Sequence, residues 1–137
     1  MSEPIWLEMD VVLALHDMQL AAFGGAAGLR DAGLLESASY RPRNVSFYAA
    51  ALPALARLAA AYAFGLVENH PFVDGNKRTG LVVSFTFLKL NGRKITASEE
   101  DAYRTFLALA SGALSEEALA DWMAENSQQE NDAPTRI

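Results

Sequence analysis

Apolar residues recur at helical spacing along most of this chain, and polar and apolar residues alternate nowhere for long enough to predict a strand. Alanine and leucine dominate, while β-branched residues are sparse outside Val82 and Val83. The pattern therefore predicts an all-α protein.

The first predicted helix runs from Leu7 to Phe23 and ends at Gly24-Gly25. Its apolar stripe consists of Val11, Leu15, Met18 and Ala22. His16 lies within this helix, and we interpret it as an ordinary packed or surface residue.

Asp31 can cap a second, short helix that holds Leu34, Leu35 and Ala38. The helical pattern then breaks between Tyr40 and Tyr48, where Pro42 and mixed aromatic residues indicate an irregular, partly extended loop. Such a loop either contacts a partner or connects two helices while Phe47 and Tyr48 pack on the core. The sequence leaves both interpretations open.

Two central helices are predicted from Leu52 to Asn69 and from Gly75 or Asn76 to Leu90. Both are apolar nearly all round, which is typical of buried helices. Pro53 is tolerable in the first turn of the earlier helix, and Asn91-Gly92 ends the later one. The segment between them therefore joins two core elements.

Two further helices are expected near the end of the chain, the first from Glu99 to Ala110 and the second through Glu125. Ser98 and Ser115 are their expected N-caps. Residues 1–126 are expected to form one domain. Residues 127–137, rich in Gln, Asn and Asp, are expected to form a disordered tail.

Composition excludes several kinds of chemistry. The chain has no cysteine, so it can form no disulfide, thiolate metal site or cysteine nucleophile, and its 2 histidines are too few for a zinc cluster. A net charge of −6 argues against sequence-independent nucleic-acid binding. The first residues lack a secretory pattern, and the longest apolar stretch is about half of the roughly 20 residues that a membrane span needs. We therefore expect a soluble, cytoplasmic protein.

The sequence HPFVDGNKRTG, residues 70–80, places two cations at the start of the second central helix. Cations at a helix N-terminus cost about 0.3–1 kcal/mol each, because the first turn carries partial positive charge and open N–H groups. A bound phosphate would satisfy those N–H groups and neutralise Lys77 and Arg78. The alternative is a solvated pair of charges.

Two residues of this segment are candidates for catalysis. His70, expected just outside a helix N-terminus, would be kept neutral there and would suit a general base. The alternative is a loop histidine that caps nearby backbone groups. Asp74 is either the N-cap of the following helix or a carboxylate that holds Mg²⁺ beside bound phosphates.

The remaining motif residues suit phosphate binding. Gly75 allows the backbone to approach a ligand closely, and the Asn76 side chain can donate hydrogen bonds to an oxyanion. Arg78 can clamp phosphate oxygens while Lys77 acts as a mobile point charge. Phe72 is interpreted as a hydrophobic plug that holds the loop on the core. Together these residues predict phosphoryl transfer.

The segment HPFVDGNKRTG resembles the signature of the Fic/Doc (death-on-curing) family. The similarity extends through Gly28 to Ala38 and the Asn91-Gly92 turn, and covers most of Ile5 to Glu125. It implies a compact all-α bundle in which the motif joins two central buried helices and the later helix presents an anion hole. Carried over by motif position, the resemblance implies that His70 is the base, Phe72 the loop anchor and Asp74 the Mg²⁺ ligand. It also implies that the phosphate is held by Gly75, Asn76, Lys77 and Arg78.

Two positions depart from the pattern of the AMP-transferring Fic proteins. Lys77 stands where that pattern has glycine, and Leu81 stands where it has a second arginine. Both match the Doc branch, which implies a toxin kinase that uses ATP and Mg²⁺ to phosphorylate a threonine of translation elongation factor Tu. AMP transfer remains the first alternative, and a non-catalytic binding module of a toxin–antitoxin complex is the second.

Some Fic proteins carry an inhibitory pattern, Ser/Thr-x-x-x-Glu-Gly/Asn, within their own chain. The nearest match here, Thr96 to Glu100, continues with Asp101 and does not fit. The resemblance therefore implies that a separate Phd-like antitoxin chain silences the protein. From the net charge and the short apolar stretch, no direct binding to nucleic acid or membrane is expected.

Overall fold

The computed structural model describes residues 3–130, which contain six helices and one two-stranded antiparallel sheet. The helices are α1 (Met9–Phe23), α2 (Ala32–Tyr48), α3 (Leu55–Asn69), α4 (Asn76–Leu90), α5 (Glu99–Ala110) and α6 (Glu116–Glu125). Strands β1 (Arg93–Ile95) and β2 (Ser127–Gln129) form the sheet. The all-α prediction is confirmed. Within residues 3–130, no helix has the length and apolar character needed to cross a membrane.

Helix α3 lies at the centre of the core and packs against α2, α4 and α6. Small residues allow this close packing: a Cβ atom on Gly65 would lie 3.2 Å from the Cα atom of Ala38 in α2. A Cβ atom on Gly80 in α4 would lie 3.0 Å from the Val67 side chain of α3. Consequently α3 and α4 hold the loop between them at both ends.

The prediction of an irregular loop from Tyr40 to Tyr48 is wrong, because α2 continues through this segment. A proline inside a helix removes one hydrogen bond and costs about 3 kcal/mol or more. Here Pro42 is buried in α2, and tertiary contacts outweigh its local preference. Phe47 and Tyr48 do not pack on the core either, since they are 78% and 82% exposed.

The predicted apolar stripe of α1 is also wrong. The buried residues of this helix are Val12 and His16, whereas Val11 and Met18 are 38% and 60% exposed. The face that α1 buries is decided by its neighbours, chiefly α4 and the loop that precedes it. The spacing of apolar residues along α1 could not predict that His16 is buried.

Local signals predicted the later helices well. Helix α4 ends before Asn91, and α5 and α6 have the predicted bounds. The predicted caps are confirmed, because side chains of Asp31, Ser98 and Ser115 each accept a backbone N–H at 3.0 Å. Helix α3 begins at Leu55, so Pro53 precedes it rather than occupying its first turn.

The expectation of a disordered segment from residue 127 onward is wrong for residues 127–129, which form β2. This strand pairs with β1, and the backbone N–H of Glu130 also donates to the Gly92 carbonyl at 2.7 Å. Polar composition could not reveal a pairing partner more than thirty residues away. Residues 131–137, the rest of the expected tail, lie outside the described residues.

Candidate active site

The loop between α3 and α4 begins at His70, whose backbone is left-handed with φ 53° and ψ 54°. This conformation costs a residue other than glycine on the order of 1 kcal/mol, so the surroundings must hold it. Arg30 does so: its Nε donates to the His70 carbonyl at 2.7 Å and its Nη2 to the Asn69 carbonyl at 2.9 Å. The imidazole itself is exposed to solvent.

His70 caps the carboxyl end of α3, a position that the sequence did not reveal. The prediction of a neutral ring placed His70 just outside the N-terminus of the following helix, whereas the structure places it at the carboxyl end of α3. Among residues 3–130 the imidazole makes no hydrogen bond that would support the alternative role of capping backbone groups.

The side chain of Asn76 closes the loop. Its Oδ1 accepts the Phe72 N–H and its Nδ2 donates to the Phe72 carbonyl, both at 2.9 Å. Asn76 is 3% exposed, so its side chain is not turned toward a ligand. The sequence predicted that the side-chain amide of Asn76 donates to an oxyanion, and the structure differs. Only the backbone N–H of Asn76 is left to bind an oxyanion.

His16, in α1, supports the loop between α3 and α4, a role that sequence reasoning missed. Its Nε2 lies 2.9 Å from the Asp74 carbonyl oxygen, and because a carbonyl can only accept, Nε2 must carry the proton. The imidazole also stacks on the Phe72 ring, with 3.7 Å between centroids and 5° between planes. Phe72 is 1% exposed, which matches the position expected of an anchor. Fifty-eight residues separate His16 from Asp74, so no local signal indicated the contact.

The segment from Gly25 to Asp31 runs antiparallel to the loop and covers it. The Pro71 carbonyl accepts from the backbone N–H groups of Arg30 and Asp31, and the Val73 N–H donates to the Gly28 carbonyl at 3.0 Å. Gly25 has φ 124°, a conformation that favours glycine, and a Cβ atom there would lie 2.9 Å from Oδ2 of Asp74. The loop is thus held on both sides.

Asp74 is exposed and oriented by two backbone groups. Its Oδ1 accepts the Gly75 N–H at 2.9 Å, and its Oδ2 accepts the Ala26 N–H at 3.1 Å. The N-cap of α4 is Gly75, without a side-chain cap, so the alternative that Asp74 caps this helix is wrong. Each carboxylate oxygen keeps a free lone pair, and one oriented carboxylate suits Mg²⁺ that is otherwise held by phosphate and water.

The first turn of α4 presents open backbone donors. Gly75 has φ 82°, and its carbonyl accepts the first helical hydrogen bond, from the Thr79 N–H at 2.9 Å. The N–H groups of Asn76, Lys77 and Arg78 precede this bond, and they have no acceptor within residues 3–130. Three open donors at the positive end of a helix dipole form a site for an anion.

Lys77 and Arg78 stand at the same helix end, as predicted, but their side chains contact aromatic rings. The Lys77 Nζ lies 4.9 Å from the ring centroid of Tyr103, and the Arg78 Cζ lies 4.1 Å from that of Phe23. In the part of the chain that the structure describes, neither cation pairs with a carboxylate. Both positive charges therefore remain available to a phosphate.

The loop between α3 and α4 carries an exposed histidine and leads into the N-terminus of α4. Because that helix end has open backbone donors and two cations, the site is a candidate for phosphate chemistry. A model described as the Fic/DOC family matches residues 6–88, and the chain belongs to that family. A protein of Escherichia phage P1 named Protein kinase doc is 33% identical over 112 residues, which cover 82% of this chain and 87% of the relative. A Mycolicibacterium smegmatis protein named Toxin Doc is 45% identical over 76 residues, which cover 56% of this chain and 58% of the relative.

Proposed function

We propose that this chain is the toxin of a toxin–antitoxin system and acts as an ATP- and Mg²⁺-dependent protein kinase. The observation that carries the proposal is the first turn of α4, where three open N–H groups meet two cations without carboxylate partners in the described residues. Family membership and the names of two relatives, Toxin Doc and Protein kinase doc, support the same reading.

In the proposed reaction His70 accepts the proton of a target hydroxyl, and the hydroxyl oxygen attacks the terminal phosphorus of ATP. The new O–P bond forms while the bond from that phosphorus to the bridging oxygen breaks, and ADP leaves. Backbone donors of α4 with Lys77 and Arg78 stabilise the negative charge on the phosphate oxygens. Asp74 is the residue that would hold Mg²⁺, which neutralises phosphate charge when it is bound.

Arg30 has a positioning role in this proposal. Its two hydrogen bonds hold the left-handed peptide at His70 and so set the direction from which the imidazole meets a hydroxyl group. Phosphoryl transfer depends mainly on positioning and electrostatic stabilisation, so a displaced base slows the reaction without removing the nucleotide site.

The proposed protein substrate is a threonine of translation elongation factor Tu, and the proposed inhibitor is a separate Phd-like antitoxin chain. Both rest on the resemblance of the motif to the Doc branch. Lys77 and Leu81, which replace the glycine and the second arginine of the AMP-transferring pattern, favour phosphate transfer over AMP transfer.

Isotope labelling of ATP separates the proposal from its alternatives. The purified chain is incubated with Mg²⁺, elongation factor Tu and ATP labelled in either the α or the γ phosphate. We expect the γ label on threonine, and no label with His70→Ala. Transfer of the α label instead would mean AMP transfer. No label in any combination would favour a non-catalytic module. The remote variant Tyr48→Ala, at a side chain that is 82% exposed, serves as the control and should retain full transfer.

A further inference from the structure

His16 is a buried polar side chain that the proposed reaction does not use. It lies in α1 and is 3% exposed, and its Nε2 donates to the Asp74 carbonyl at 2.9 Å. The imidazole also lies close to the next residue of the loop, since a Cβ atom on Gly75 would be 3.6 Å from both Cδ2 and Nε2 of His16. The ring therefore packs against the peptide that joins Asp74 to Gly75.

Both hydrogen-bonding groups of this peptide are engaged. Its carbonyl, from Asp74, accepts the proton of His16, and its N–H, from Gly75, donates to Oδ1 of the Asp74 carboxylate at 2.9 Å. A trans peptide unit is planar, so the directions of its carbonyl and its N–H are fixed relative to each other. The bond from His16 therefore also sets the direction in which the Gly75 N–H meets the carboxylate.

Gly75 gives this peptide the freedom to rotate. Its φ of 82° lies in the left-handed region, and glycine adopts conformations there and elsewhere with little steric cost. A rotation of the peptide would turn the Gly75 N–H away from Oδ1 and release that side of the Asp74 carboxylate. The hydrogen bond from His16 opposes this rotation, because the rotated carbonyl would leave a buried donor without a partner.

The imidazole is itself held in one orientation by Phe72. The two rings stack with 3.7 Å between centroids and 5° between planes, and Phe72 is 1% exposed. The other ring nitrogen, Nδ1, lies 3.9 Å from Oδ1 of Asp17, which is too long for a hydrogen bond. Nε2 is thus the ring nitrogen through which His16 acts on the loop.

We propose that His16 is a positioning residue for the reaction, because its Nε2–H holds the peptide between Asp74 and Gly75 and so keeps the Asp74 carboxylate oriented for Mg²⁺. The inference rests on the proposed function and deepens it. His16 is 3% exposed, so it acts through Asp74 rather than by contact with the nucleotide. Hydrogen-bonding groups that orient a metal-binding side chain typically contribute about 10–100-fold to metal affinity or activity.

Two substitutions separate the hydrogen bond from the aromatic stack. His16→Phe keeps a ring against Phe72 but has no donor, whereas in His16→Gln an amide nitrogen can donate in place of Nε2 without the stack. Asp17→Asn, at a neighbouring side chain that is 83% exposed, is the control. Calorimetry measures the binding of inorganic triphosphate with and without Mg²⁺, steady-state kinetics with ATP give kcat and KM, and circular dichroism checks that each variant is folded.

With His16→Phe we expect the gain in triphosphate affinity from Mg²⁺ to fall about tenfold, and kcat to fall with it, because the carboxylate is no longer held. Affinity without Mg²⁺ should stay unchanged, since the backbone donors of α4 remain. His16→Gln should recover most of the loss, and Asp17→Asn should match the unchanged chain. If His16→Phe does not fold, NMR of the unchanged chain supplies the test: the Gly75 amide and His16 Nε2 signals should shift together as Mg²⁺ and triphosphate bind.

An undiminished gain from Mg²⁺ in folded His16→Phe would overturn the positioning role and leave the proposed kinase intact. So would a shift of the Gly75 amide signal with the Nε2 signal unmoved. Equal weakening with and without Mg²⁺ would overturn the role as well, since His16 would then support the helix end as a whole, and so would the absence of recovery in folded His16→Gln. If the unchanged chain gains no affinity from Mg²⁺, the proposed function fails and the positioning role fails with it.

Discussion

Substitution of Asn76 tests whether its side chain holds the loop between α3 and α4 in place. Asn76→Ala removes two hydrogen bonds, one accepted from the Phe72 N–H and one donated to the Phe72 carbonyl. Phe72 is 1% exposed, so water cannot easily replace either bond. A buried polar group without a partner costs about 1–3 kcal/mol. With partial relaxation of the loop, we expect the free energy of unfolding to fall by about 2–4 kcal/mol.

Urea unfolding followed by circular dichroism measures this loss. For a denaturant slope of about 2 kcal/mol per molar, the midpoint should fall by roughly 1–2 M. Asn76→Asp keeps the acceptor but puts an oxygen against the Phe72 carbonyl in place of the donor, so its midpoint should also fall below that of the unchanged chain. Asn44→Ala, at an exposed position of α2, is the matched control and should change stability by less than about 0.5 kcal/mol.

A different result would restore the interpretation drawn from sequence. If Asn76→Ala unfolds at the same urea concentration as Asn44→Ala and yet loses affinity for inorganic triphosphate, the amide serves the ligand and not the loop. The two roles separate because one lowers stability without ligand and the other lowers affinity alone.

Three further substitutions test other contacts. The Thr79 hydroxyl is buried without a hydrogen-bond partner in the described residues, so Thr79→Val should raise the free energy of unfolding by about 1 kcal/mol in urea. Burial alone would raise the pKa of Glu116, but hydrogen bonds from Arg41 and Arg57 outweigh it and the pKa lies below the ordinary 4.5. Stability from this carboxylate is therefore present above about pH 4.5 and lost as pH falls through the lower folded-state pKa, and Glu116→Gln should flatten that loss. Arg30→Ala should lower kcat for phosphate transfer about tenfold while KM for ATP stays nearly constant.

Exposed residues of the same types provide the controls: Thr96→Val, Glu117→Gln and Arg104→Ala. A drop in stability with Thr79→Val would indicate an unrecognised partner for its hydroxyl. An acid unfolding profile that is the same with and without Glu116→Gln would remove this ion pair as the cause. A rise in KM equal to the fall in kcat for Arg30→Ala would place Arg30 at the nucleotide rather than at the loop.

Local signals account for the elements that the sequence predicted correctly. Serine caps, acidic first turns and the Asn91-Gly92 turn are read within a few residues, and they gave the bounds of α5, α6 and the end of α4. The continuation of α2 from Tyr40 to Tyr48 could not be predicted in this way, because Pro42 opposes a helix locally and packing against α3 decides the outcome. The pairing of β2 with β1 likewise depends on distant residues.

The same distinction holds at the site. The position of Lys77 and Arg78 at a helix start follows from the motif itself, whereas their contacts with Tyr103 and Phe23 come from other helices. His16 lies far from the loop in sequence, and nothing in its neighbours marks it as a support. The sequence therefore identifies the chemical groups of the site, but their orientation depends on contacts with distant residues that only the fold shows.

Phosphate binding at the first turn of α4 can be followed by NMR titration of the isotope-labelled chain with inorganic triphosphate in the presence of Mg²⁺. We expect the backbone amide signals of Asn76, Lys77 and Arg78 to shift in a saturable manner with one common affinity, because these N–H groups lack acceptors within residues 3–130. Saturable shifts elsewhere, with these three amide signals unmoved, would mean that phosphate does not bind at this helix end.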